Sequence, residues 1–246
     1  MRTSNPALST STFESLTRTD DGVMTVNGTV NKTALSLALL VAAASYTWNI
    51  FNETESVDAI YPWLIGGSIA GFIVAMITIF KKHLAPITTP IYAVLEGVAL
   101  GGLSAVFELM YPGIVMQAVG LTFGVLFSML FLYRSGIIKV TEKFKMGVVA
   151  ATMGIVVVYM ISFVMSLFTG SGMNMIHDNS LMSIGFSLFV VVIASLNLVL
   201  DFDFIDQGTR RGAPKYMEWY GAFGLLVTLV WLYIEILRLL SKLRSR

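Results

Sequence analysis

Three aspartates, Asp201, Asp203 and Asp206, fall within six residues at the end of an uncharged run of twenty, Leu181 to Leu200. Two further acids lie inside apolar runs, Glu96 in IYAVLEGVALGG and Glu235 in WLYIEILRLL. Glu218 heads the last apolar run, and Lys81 and Lys82 close an earlier one. A carboxylate in such surroundings is costly, so it is expected to hold a cation, exchange a proton or pair with a base. Oxygen ligands without thiolate or imidazole suit hard cations such as calcium. Two carboxylates set close together would share a proton and titrate as a pair.

The direction in which each acid points decides its chemistry. On a helical wheel Ser183, Ser187, Ala194, Asn197 and Asp201 fall within about 80°. That small, polar face is the kind that packs against other membrane helices, so Asp201 is expected to point into a bundle. Its plainer alternative is an interfacial acid paired with Arg210, Arg211 or Lys215. Asp203 lies nearly opposite, toward the interface, and shares a face with Asp206 at i, i+3 spacing. Glu96 sits about nine residues into its run, near the bilayer midplane, beside the G-x-x-x-G of Gly97 and Gly101. It either works as an ionisable group or donates a structural hydrogen bond. Glu235 shares a face with Gly221, Gly224 and Thr228, within about 40°. It therefore points inward, or pairs with Arg238 or Lys242. Glu218 stands at the depth of Asp201, and Glu235 lies about 25 Å further along a helix. Lys81 is either an anchor at the membrane surface or the base that closes an ion pair with the sixth-span acid.

The elements that must hold these groups are membrane spans. Of the 246 residues 56% are hydrophobic and 13% charged, against roughly 25% charged in soluble domains. Mean hydropathy is +0.78. A twenty-residue helix reaches roughly 30 Å, the thickness of a bilayer core. Spans are expected over about 32–51, 61–80, 87–106, 113–133, 146–168, 181–200 and 219–240. The last holds only sixteen uncharged residues before Glu235; a full seventh crossing is expected, with a re-entrant segment as the alternative. Residues 1–31 are polar, lack the apolar core of a signal peptide and are expected to form a mobile cytoplasmic tail. Residues 32–246 would form one membrane domain.

Lysine and arginine concentrate in the tail and in the second, fourth and sixth loops, which places the amino terminus in the cytoplasm. The basic carboxyl end, with Arg238, Lys242, Arg244 and Arg246, conflicts with an odd number of crossings. A net charge of +1 gives no sign of nucleic-acid binding, and the absence of cysteine excludes disulfides and thiolate chemistry. His83 and His177 fall in different predicted loops, so a histidine-built zinc site is not expected. No P-loop, G-x-S-x-G or H-E-x-x-H motif occurs.

NLVLDFDFID in the sixth span, WLYIEILRLL in the seventh and LEGVALGG in the third resemble the Bax inhibitor-1 family, in particular its bacterial YccA-like branch. The resemblance covers about residues 32–240. It implies an all-α bundle of seven transmembrane helices with the last one central, in a bacterial inner membrane. It also implies a calcium leak gated by pH through two carboxylates, on helices six and seven, contacted by a base at the end of helix two. Asp201 takes the place of the sixth-helix carboxylate. Both LYIEIL around Glu235 and YMEWY around Glu218 resemble the seventh-helix motif. They follow Asp201 by thirty-four and seventeen residues, and both spacings depart from the family's. Lys81 stands where the family has an arginine able to bind bidentately. Asp201 and Glu235 would then hold a transient Ca2+, with no resident cofactor; Glu96 is an acid outside the family pattern.

Two functional readings follow. One is a pH-sensitive cation channel or leak that handles Ca2+ and H+ within membrane lipid. The other is a non-conducting regulator that binds other membrane proteins or a membrane protease. An enzyme is not expected, because no nucleophile stands beside a base.

Overall fold

A computed structural model of the chain describes residues 22–169, 178 and 180–245. Seven helices account for most of them: α1 (Val26–Thr54), α2 (Val57–Phe80), α3 (Ala85–Met110), α4 (Ile114–Arg134), α5 (Glu142–Thr169), α6 (Leu181–Arg210) and α7 (Met217–Arg244). There is no strand among the described residues. All seven helices are long and apolar enough to cross a membrane. The all-α, seven-helix class expected from the sequence is the one observed. Burial is uneven, with 67% of the most apolar stretch of α7 buried against 17% for α1, α2 and α4.

Helix boundaries follow local chemistry. α1 starts six residues before the expected span, because Thr25 caps it by accepting a hydrogen bond from the Gly28 N–H at 3.0 Å. The first 21 residues of the expected tail, His177 and Arg246 lie outside the described residues. The first loop shrinks to Glu55 and Ser56, since Glu53 and Asp58 are both helical. Proline opens α3, where its missing N–H costs nothing. α6 continues ten residues past Leu200, so all three aspartates are helical. α7 is one unbroken helix of 28 residues, about 42 Å long, which excludes a re-entrant segment.

The chain forms two compact units. The first holds α1–α3 with residues 204–227. Here α3 lies between α1 and α2, and its glycines set the approach. A Cβ on Gly97 would stand 2.9 Å from the Ala43 Cβ, and one on Gly101 2.8 Å from the Ala44 Cα. The G-x-x-x-G pattern therefore has the packing role expected of it. Phe223 packs edge-on against Tyr92, ring centroids 5.1 Å apart. The second unit holds residues 113–203 with 228–246, that is α4, α5, most of α6 and the end of α7. Its core joins Ile155, Val190 and Ile193, with Tyr159, Phe186 and Trp231 packed against them.

Candidate functional site

Within the second unit the polar face of α6 is buried along its length. Ser183, Ser187, Ala194, Asn197 and Asp201 are all enclosed, and Asp201 is 1% exposed. An acid placed so deep at the end of an apolar run must face protein, as its helical face required.

Contacts along α5, α6 and α7 arrange this unit in strata. Asn197, one turn from Asp201, donates from its amide nitrogen to the Thr152 hydroxyl at 2.9 Å and to the Ile193 carbonyl at 2.8 Å. Next comes the apolar layer of Ile155, Val190, Ile193 and Trp231. Beyond it the Tyr159 hydroxyl donates to Glu235 Oε1 at 2.8 Å, and Arg238 donates to the same oxygen at 3.0 Å and to the Tyr159 hydroxyl at 2.8 Å. The Arg238 guanidinium also lies over the Tyr159 ring, 5.3 Å from its centroid. One turn further, Lys242 donates to the Ser187 hydroxyl at 2.7 Å.

This order separates Asp201 from Glu235. Tyr159 packs edge-on against Phe186, fifteen residues from Asp201, or about 22 Å along α6. Allowing for the reach of the tyrosine, Glu235 is about 15 Å or more from Asp201 along the axis. A calcium ion needs its ligand oxygens at roughly 2.3–2.6 Å, so the two carboxylates do not form the shared metal site expected of them. Glu235 takes the pairing alternative, with Arg238 as its base.

At the other end of α6 the remaining aspartates are paired. Asp203 binds Lys145 of α5 at 2.9 Å, and that lysine is 3% exposed. Asp206 pairs with Arg210 at 2.9 Å on the helix surface.

The first unit holds the other candidates. Glu218, at 0% exposure, receives the Thr25 N–H at 2.9 Å and the Thr25 hydroxyl at 2.8 Å on Oε1. Lys215 pairs with the same oxygen at 2.9 Å, and Lys32 pairs with Oε2. The chain before α1 lies along the α6–α7 loop. Met24 N–H donates to the Ala213 carbonyl at 2.7 Å, and Lys215 N–H to the Gly22 carbonyl at 3.1 Å. Glu218 thus ties the start of α7 to the start of α1, where two helix amino termini favour its negative charge. Gly28 leaves room for it, since a Cβ there would collide with the carboxylate. Glu96 is half-buried, and its Oε2 lies against Gly71 of α2. Lys81 is exposed at the end of α2 and makes no ion pair among the described residues of its own unit.

Among the described residues, no group of three or more His, Cys, Asp or Glu side chains could hold a metal ion. The sequence pattern, the seven spans and the buried sixth-span acid converge with one further finding. The family model described as Bax inhibitor 1 like matches residues 5–245. The chain belongs to that family. No curated protein matches it closely enough to count as a relative. As a Bax inhibitor 1 like protein with seven such helices, it is a multi-pass integral membrane protein.

Among the described residues the bases that meet acids are Lys32, Lys145, Arg210, Lys215 and Arg238. Lys145 counted only as a charge of the fourth loop, and Lys242 as a terminal charge or a base for Glu235, yet both are buried. The available signal was position: each lies within one helical turn of an apolar stretch. Tyr159 carried no signal at all, being one aromatic in an apolar run.

Proposed function

We propose that this Bax inhibitor 1 like protein is a pH-sensitive cation leak with calcium as the ion carried, and that Asp201 is its proton-sensing group. The observation that carries this reading is a carboxylate buried at the end of an apolar membrane span, on a face that continues through Asn197, Ser187 and Ser183. Protonation removes the charge that would attract a cation, so the leak is shut in acid and opens as pH rises toward neutral. Calcium is cargo here, met by oxygen ligands and water in transit. Asp203, Asp206 and Glu218 serve as charges in ion pairs that set helix positions, and Glu96 is a second ionisable group within the membrane.

In this reading the protein is not an enzyme, and its direct partners are lipid, Ca2+ and H+. It resides in a bacterial inner membrane with its amino terminus in the cytoplasm, as the lysine and arginine bias of the loops supports. The basic carboxyl end is eased by its contacts, since Arg238 is neutralised by Glu235 and Lys242 is bound to Ser187. The test is Ca2+ uptake by liposomes containing only the purified protein, measured from acid to neutral pH. Uptake above empty liposomes that grows with pH supports the leak. No uptake at any pH refutes it and leaves the non-conducting regulator of other membrane proteins.

A further inference from the structure

Glu235, Tyr159 and Arg238 form a closed set of hydrogen bonds that the proposed sensing by Asp201 does not use. The Glu235 side chain is 2% exposed, whereas the Arg238 side chain is 32% exposed. Arg238 donates to both of the other groups, and Tyr159 donates to the carboxylate. The set stands on the far side of the Ile155–Val190–Ile193–Trp231 layer from Asp201. Without the guanidinium, a carboxylate and a phenol oxygen would remain side by side at the edge of an apolar layer. That is a hard-cation ligand pair without its cation.

We propose that Glu235 and Tyr159 form a second cation site, occupied at rest by Arg238 as a tethered cation and open to a divalent metal ion when Arg238 swings out. This deepens the proposed function, because it adds a gate on the side of the apolar layer away from Asp201. Three features fit it. Among the described residues the Arg238 guanidinium is held by groups of this set and by its stack on the Tyr159 ring. Its partial exposure gives the guanidinium an alternative in water. Residues three apart on one helix can part by a side-chain rotation, with no movement of the backbone. The apolar layer then serves as the barrier that a cation leaving this site must cross.

The test is binding, so its result does not depend on conduction. Purified full-length protein in detergent is titrated with Tb3+, a hard cation whose emission is sensitised by nearby tyrosine and tryptophan, here Tyr159 and Trp231. Arg238→Gln is expected to lower the half-saturating Tb3+ concentration at least tenfold, and Arg238→Lys to leave it near the wild-type value. The gain should vanish in Arg238→Gln/Glu235→Gln and weaken in Arg238→Gln/Tyr159→Phe, and Ca2+ should compete for the site. Unchanged affinity in Arg238→Gln, or a gain that survives Glu235→Gln, overturns the proposal. If Arg238→Gln does not fold, the wild type decides: its Tb3+ emission must fall on Glu235→Gln, and emission that persists overturns the proposal. A protein that binds Tb3+ in this pattern but never passes Ca2+ would sink the leak and keep the site; the reverse result would do the opposite.

Discussion

Replacing Glu218 with glutamine should destabilise the protein by about 3 kcal/mol, although the side chain keeps its size. The amide oxygen can still accept from the Thr25 N–H and hydroxyl, so those two bonds persist without charge assistance. Bonds to a charged group are worth about 1.5–3 kcal/mol and neutral ones about 1, so the two together lose at least about 1 kcal/mol. Two ion pairs also disappear. The Lys32 side chain is 19% exposed and that of Lys215 is 42% exposed. Each pair therefore contributes only about 0.5–1 kcal/mol after screening by solvent. The remaining cost is that the new amide NH2 faces a lysine, donor against donor. Glu218→Ala goes further, leaving Thr25 and Lys32 without their acceptor, and should cost about 4 kcal/mol. At about 2–4 °C per kcal/mol for a chain of this size, the apparent Tm should fall by about 6–12 °C for glutamine and more for alanine. Tryptophan fluorescence during heating in detergent is the assay, and Trp219 next to Lys32 gives it a local reporter. Asp206→Asn, which removes a surface pair to a 77% exposed Arg210, is the control and should change little. If both Glu218 variants melt with the wild type, Glu218 does not tie α7 to α1.

Gly101→Val should cost about 1–3 kcal/mol by forcing α3 away from α1; Gly124→Ala, with nothing within 4 Å, should be neutral or stabilising, and heating curves compare the two. Lys145→Glu would face Asp203 with a buried like charge and should cost about 3–5 kcal/mol. The exchange Lys145→Glu/Asp203→Lys should recover at least half of that loss in the same assay. Reporter fusions after Lys82, Arg134 and Arg210 should all report a cytoplasmic location, and one after Arg246 an external location; any reversal overturns the proposed orientation.

The spans were legible because uncharged runs of twenty residues have few alternatives to crossing a bilayer. The buried face of α6 was legible because Ser183, Ser187, Asn197 and Asp201 recur at helical spacing, and the small residues around Gly97 and Gly101 marked a close helix contact. Pairing was much less legible, since it depends on the axial register between helices distant in sequence. Nothing local distinguishes Lys145, which meets Asp203, from Lys81, which meets no acid among the described residues. Glu218, at the depth of Asp201, and Glu235, on a small-residue face and in a family-like motif, both stayed open as partners for Asp201 for the same reason. The start of α1 was misplaced because Thr25 and Gly28 belong to a polar stretch, while the cap they form is visible only once Glu218 is beside them.

If the charge on Asp201 governs cation passage, Asp201→Asn should abolish the response of the leak to pH. Asparagine keeps the shape of the protonated side chain and removes the charge. Calcium uptake into liposomes should be measured at a series of pH values from acid to neutral for the wild type and this variant, with heating curves to show that both are folded. Wild-type uptake should grow with pH, and the variant should stay near the low acid level at every pH. Uptake by Asp201→Asn that matches the wild type in size and in its response to pH would contradict that role of the charge.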